Sequence, residues 1–267
     1  MSAGQATELG RGPGPATRSF RGPIVAVGAG ILLLVAWKAL TVIGGYQPFI
    51  LPPPESVGER FVRAWADGTM EPHARTTFVE IALGFAVGAS LALAVGYALA
   101  RSRLVEQALS PYLVAAQATP ILALTPLIVL WFGAGLLSKV VICALIVFFP
   151  VAISTMVGIR SVDRGLIEMA RAFRATPRQV LTGIEIPAAL PAIFGGLRIG
   201  VTLAVIGAIV GEWAGGDTGL GVLINLARGS LFDTPLLFAT LVSIALLGVA
   251  LYLVVVVIER RLVGRRG

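Results

Sequence analysis
Charge and sulfur are what this sequence has least of. Charged residues fill 13% of its 267 positions, about half the share in an ordinary soluble domain. Hydrophobic residues fill 57%, and the mean hydropathy is +0.90. That balance excludes a soluble globular fold and leaves an integral membrane protein. The single cysteine, Cys143, lies inside an apolar run, which excludes an intrachain disulfide. One histidine, His73, beside one cysteine gives no metal-binding constellation. Lysine occurs only as Lys38 and Lys139, so no glycine-rich stretch leads into the Lys-Ser/Thr of a phosphate-binding loop. The net charge of +7 rests on arginines beside apolar spans, without interleaved aromatics. It therefore points to membrane topology and not to nucleic acid.

Six apolar runs are long enough to cross a bilayer: residues 23–43, 77–100, 109–132, 136–158, 193–213 and 236–258. Residues 1–22, with Arg11, Arg18 and Arg21 among Gly, Pro and Ser/Thr, read as a disordered tail. Residues 259–267 read as a basic tail. The first run is too long for a signal-peptide core and lacks a small-x-small cleavage site, so it reads as a span. Lys38 lies near its far end, where its stem can snorkel. Pro52, Pro53 and Pro54 then set a stiff, extended exit.

Polar residues within the runs mark candidate sites. Glu80, at the edge of the second run, reads as a hydrated carboxylate, and no chain of buried charges like that of a proton-coupled transporter is expected. Gly84 and Gly88 form a GxxxG pair suited to close helix approach, and Gly196, Gly200, Gly207 and Gly211 give the fifth run a similar character. The third run contains Gln117, Thr119, Pro120, Thr125 and Pro126. Two prolines break its hydrogen-bond ladder, which is tolerated where protein or water satisfies the backbone again. Gln117, Thr119 and Thr125 are candidates for a translocation path, with kinks and interhelical hydrogen bonds as the structural alternative. After the fifth run comes Gly215–Gly221, reading GGDTGLG, and Leu220–Leu226 is apolar enough for a short re-entrant or interfacial helix.

The longest polar interruption is the stretch from Arg160 to Pro191, the loop of residues 159–192 between the fourth and fifth runs. Arg160, Arg164, Arg171, Arg174 and Arg178 keep it in water, since each would cost roughly 2.5–3.5 kcal/mol at a span centre. Asp163 is placed to cap a helix carrying Leu166, Ile167, Met169, Ala170 and Phe173 at helical spacing. Thr176-Pro177 reads as a fresh N-cap and first-turn proline opening a second helix toward Ile186, which Pro187 and Pro191 then close. An amphipathic loop lying on lipid headgroups fits the same pattern.

Placing the N-terminus inside puts fifteen positive residues on the inner side and five on the outer. By the positive-inside rule, both termini and the central loop are cytoplasmic.

Glu168-Met169-Ala170, with Ile184, Ile186 and Pro187 at their spacing, resembles the Glu-Ala-Ala loop of ABC-importer permeases. Arg174 stands where that pattern has glycine, which puts its tight turn in question. The runs Pro126–Val151 and Leu197–Gly221 look like the branch for sulfonates, taurine, nitrate and pyrimidine or flavin vitamins. The resemblance covers nearly the whole chain. It implies an all-α integral membrane permease of six transmembrane helices with a two-helix coupling loop between the fourth and fifth. It also implies a bacterial inner-membrane location, a separate cytoplasmic ATPase that uses the ATP, a periplasmic or lipid-anchored binding protein, and a second, identical permease subunit. Glu168, Met169, Ala170, Phe173, Arg174, Ile184, Ile186 and Pro187 are then the ATPase-coupling residues. No cofactor bound by the chain itself is expected. The expected substrate is a vitamin heterocycle (riboflavin or hydroxymethylpyrimidine), with an alkanesulfonate, taurine or nitrate as the alternative. A self-sufficient secondary transporter or channel and a membrane scaffold remain as readings from other classes.

Overall fold
A chain this apolar, with its backbone polar groups to satisfy inside lipid, folds as helices, and the computed structural model is helical throughout. It describes residues 21–264, and for side chains Val25 and residues 27–264. The expected disordered tail therefore lies almost wholly outside the described residues, as do the last three positions. In chain order the helices are α1 Arg21–Ile43, α2 Pro54–Ala66, α3 Met70–Arg101, α4 Arg103–Ala118, α5 Ile121–Phe132 and α6 Leu136–Arg160. They continue as α7 Arg164–Ala172, α8 Pro177–Val180, α9 Ile186–Ala214, α10 Leu220–Gly229 and α11 Thr234–Val263, with a π turn over Leu181–Glu185.

The chain divides into two units at Pro54. In the first, the Trp37 indole N–H donates to the Pro52 carbonyl at 3.1 Å, folding the proline segment back along α1. Pro54 does not extend that segment but opens α2, where its missing N–H costs nothing.

In the second unit α6 is the central rod, flanked by α3 and α9, with α11 against α9. The core is built from small and β-branched side chains: Ala89, Ala92, Cys143, Val147, Val151, Ala204 and Ala208. Lipid is as apolar as a leucine side chain, so helices here gain from close packing and not from leaving water. A Cβ on Gly84 would fall on Cys143, and one on Gly88 would meet the backbone of Ala144. On α9, Gly196, Gly200, Gly207 and Gly211 all face α6.

Among the described residues, four helical segments are long and apolar enough to span a membrane: Met70–Arg101, Leu136–Arg160, Pro177–Ala214 and Thr234–Val263. The third expected span is a broken one. α4 and α5 meet at Thr119-Pro120 with a bend of 96°, and counting the pair as one span gives five. The first expected span lies in α1, a helix of 23 residues, of which Val27–Ile43 is the continuous apolar part with described side chains. The expectation that Pro187 and Pro191 close the second loop helix is overturned. α8, the π turn and α9 run on as one helix of 38 residues. Pro187 has no N–H and its ring clashes with the carbonyl four residues back, and the wider π turn just before it absorbs that misfit.

The α3–α6 seam generates a direct test. Gly88→Ile places a branched side chain where the Ala144 backbone lies, so the helices must separate. Overpacking of this kind costs about 1–3 kcal/mol. Thermal denaturation of the purified protein should show a lowered midpoint, and an unchanged midpoint would contradict the packing described.

Candidate functional site
The central loop is built from local signals. The Asp163 carboxyl caps α7 by accepting from the Gly165 N–H at 2.7 Å. The helix ends when Ala175 N–H donates to the Ala170 carbonyl (3.0 Å) and Arg174 N–H to that of Arg171 (2.9 Å). These are the paired bonds of a left-handed helix stop, and Arg174 adopts its positive φ of 59°. The arginine therefore occupies the glycine position of the turn and keeps the turn. Thr176 and Gln179 then form a reciprocal capping box, with Pro177 in the first turn of α8.

The loop is tied to the rest of the protein by two arginines. Arg160, at the end of α6, makes a bidentate pair with Glu106 of α4, both N–O distances being 2.7 Å, and also donates to the Leu99 carbonyl at 2.7 Å. One guanidinium thus joins the ends of α3, α4 and α6. Its hydrogen bonds hold the Glu106 carboxyl below the usual carboxylate range. Protonation of Glu106, and with it the loss of the charged pair, is therefore displaced to lower pH than for a free glutamate. Arg101 of α3 meets Glu185 at 2.8 Å, and the π turn places that carboxylate inside the protein.

These anchors leave the apolar side of α7 uncovered. The helix has no buried residue. Leu166, Met169 and Phe173 are exposed, Phe173 by 82%. Glu168 is exposed and Ala170 half-buried. Leu166, Met169, Ile184 and Pro187 line one hollow of about 540 Å³ with Gly183, Ala188, Leu190 and Val263. Of the coupling residues singled out in the sequence, Met169, Ile184 and Pro187 share this hollow, whereas Glu168, Ala170, Phe173, Arg174 and Ile186 are not in its lining. Ile184 and Pro187 are half-buried and Ile186 more open.

The three translocation candidates are not brought together in this way. Gln117 and Thr119 are exposed at the α4–α5 bend. Thr125 is buried on α5, and its hydroxyl donates to the Ile121 carbonyl at 2.9 Å.

At the far end of the bundle the structure corrects the reading of Glu80. It is 1% exposed and pairs with Lys139, itself 5% exposed, at 3.1 Å. Beside them lies Glu212 of α9, 2% exposed, which sequence reasoning missed. A group of buried charges is therefore present where none was expected. The group is organised around the start of α10, whose first N–H groups have no partner in their own helix. Gly219 N–H donates to His73 Nδ1 at 3.0 Å, Leu220 N–H to the Thr77 hydroxyl at 2.8 Å, and Gly221 N–H to a Glu212 oxygen. The Thr77 hydroxyl donates in turn to the other Glu212 oxygen. The available signal was two carboxylates and one lysine within otherwise apolar runs, since such charges pair by default.

Arg174 supplies the prediction here. A non-glycine residue in the left-handed region costs about 1 kcal/mol. Arg174→Gly should therefore raise the thermal midpoint of the purified protein without altering the loop. A drop would show that the arginine side chain holds the turn through contacts of its own.

Residues 84–264 match the family described as the binding-protein-dependent transport system inner membrane component. The riboflavin transport system permease protein RibX of Chloroflexus aurantiacus is 50% identical, over 87% of this chain and 87% of its own length. The formylaminopyrimidine transport permease protein ThiX of Halalkalibacterium halodurans is 36% identical, over 82% of this chain and 86% of its own. In fold, the chain is similar to an inward-facing crystal structure of the MetNI methionine ABC transporter, with a TM-score of 0.63 and 21% identity, covering 71% of this chain and 94% of that one. With the family match spanning more than half of the sequence and these relatives most of it, the chain belongs to the binding-protein-dependent transport system inner membrane components, the permease subunits of ABC importers.

Proposed function
We propose that this permease imports a vitamin heterocycle, a flavin or a pyrimidine, and that α7 with the start of the α8–α9 helix is its ATPase-docking surface. The observation that carries the docking reading is the exposed apolar side of α7, held on a base fixed by Arg160 and Arg101. An apolar helix face in water that its own chain leaves uncovered is suited to a groove in a partner. Glu168, Met169, Ala170, Phe173 and Arg174 form the projecting part of the surface, and Ile184, Ile186 and Pro187 its base. ATP is bound and hydrolysed by the partner ATPase, and this chain supplies no catalytic group. A second, identical permease completes the pathway, and a binding protein delivers substrate on the opposite side. The arginine distribution supports cytoplasmic termini and a cytoplasmic loop.

The substrate reading rests on similarity: the riboflavin permease relative is half identical along most of both chains. Coupling requires the ATPase to contact α7 differently in the inward- and outward-open states, because a partner that binds both equally shifts neither.

The test is to co-express the chain with the ATPase and binding protein encoded beside it and purify through a tag on the permease. Glu168→Ala should reduce ATPase co-purification or uncouple ligand-stimulated hydrolysis. An unchanged complex with unchanged coupling would leave α7 as a membrane-surface helix. Thermal shift of the binding protein against riboflavin, hydroxymethylpyrimidine, thiamine, taurine, alkanesulfonates and nitrate identifies the substrate separately. A shift with a sulfonate or nitrate alone would overturn the vitamin reading and leave the docking surface standing.

A further inference from the structure
The buried group at the start of α10 has an unbalanced charge. It contains two carboxyls, Glu80 and Glu212, and one ammonium, Lys139, all at least 95% buried. Charges withdrawn from water persist when they are paired and hydrogen-bonded, and are otherwise neutralised.

Hydrogen bonding locates the imbalance. Both Glu212 oxygens accept a bond, one from the Thr77 hydroxyl and one from Gly221 N–H. Glu80 faces Lys139 at 3.1 Å, yet neither of its oxygens receives a well-aligned hydrogen bond among the described residues. Thr77 and Glu80 are buried one turn apart on α3, and the Thr77 hydroxyl donates to Glu212, so the same stretch of α3 carries Glu80 and meets the Glu212 carboxyl. Two ionised carboxylates have only acceptors to offer, so contact between them needs a proton, which turns one into a donor.

The surroundings restrict what else can balance the charge. On α3 the neighbouring ionisable groups are His73, which is engaged by Gly219 N–H, and Glu71 and Arg75, both exposed at the rim of the adjoining hollow where water solvates them. On α6 there are Lys139 and the buried thiol of Cys143. α5 has no ionisable residue, the only one on α10 is the exposed Arg228, and Asp233 at the start of α11 is taken by Arg60 at 2.7 Å. Asp217 in the intervening loop is exposed. A hollow of about 460 Å³, lined by Glu71, Arg75, Thr76, Glu80 and Lys139, adjoins the pair and offers a polar route for proton exchange.

We propose that Glu80 and Glu212 form a proton-binding site, occupied at neutral pH by one proton held as a Glu80 O–H donating to the Glu212 carboxylate. Lys139 balances the charge that remains. Nothing in this depends on the substrate or on the ATPase-docking surface. Because Glu212 also receives the Gly221 N–H, proton occupancy and the hold on α10 belong to one network. Removing the proton sets two like charges side by side at the start of that helix.

Infrared spectroscopy of the full chain in lipid nanodiscs at neutral pH tests the site. The expected result is a protonated-carboxyl stretching band that shifts in heavy water and is lost in Glu80→Gln, whose amide keeps the donor. Should that variant fail to accumulate, Glu212→Gln decides in its place, because the remaining carboxylate then pairs with Lys139 and the same band must vanish. Lys139→Met should increase the area of that band about two-fold, since neutrality then requires two protons. A wild-type spectrum without a band sensitive to either carboxyl variant, or an unchanged band in Lys139→Met, would overturn the proposal.

Discussion
Inside a bilayer there is no water to complete a broken hydrogen bond or to solvate a charge, and this constraint orders the second unit of the structure. Apolar side chains alone give neighbouring helices little reason to prefer each other over lipid. α3, α6 and α9 therefore meet through glycine and alanine, where backbones come close enough for dispersion to accumulate. The same constraint explains where polar groups were kept. Two buried carboxylates are paired with a cation on another helix: Glu80 with Lys139, and Glu185 with Arg101. Each pair pins two helices at one relative height, which a small-residue seam alone does not do.

The two polar regions are connected by one element. The helix from Pro177 to Ala214 begins at the capping box of the central loop and carries Glu212 near its other end. At about 1.5 Å per residue its 38 residues extend for roughly 57 Å. The π turn within it does not interrupt the helix but widens it where Pro187 would otherwise break it. It also turns Glu185 inward to meet Arg101, so the adjustment for a proline and the anchor of the loop are the same local event. The loop and the group that holds α10 are thus joined by one continuous helical backbone.

Much of the loop was legible in the sequence because its signals are local. Asp163, Thr176, Pro177 and the spacing of Leu166, Met169 and Phe173 each act within a few residues, and the caps and helix starts are where those residues imply. The errors came from treating preferences as prohibitions. Arg174 takes the left-handed conformation that glycine favours, at a cost the paired backbone bonds offset. Pro187 and Pro191 were read as terminators, yet a π turn admits the first and the second sits within α9. The broken third span was half-visible in Thr119-Pro120, but a 96° bend depends on packing that hydropathy does not encode. Glu80 was misread for another reason. Its partner Lys139 and its neighbour Glu212 lie in different runs, and only the fold brings the three together.

The glycine cluster shows how the fold decides between chemistries that one motif permits. Gly215–Gly221 has the look of an anion-binding loop, and it does surround a carboxylate, but one belonging to its own chain. A Cβ on Gly219 would land within the Glu212 carboxyl, one on Gly221 against its oxygen, and one on Gly216 against the Lys139 ammonium. Gly219 has φ near 144° and Gly216 near 154°, a region open to glycine and strained for other residues. The spacing is thus set by two buried charges and by the start of α10. The positive end of that helix would attract a phosphate if one had access. Glu212 already fills the position, so the loop is closed to an external anion by the same contact that holds the helix in place.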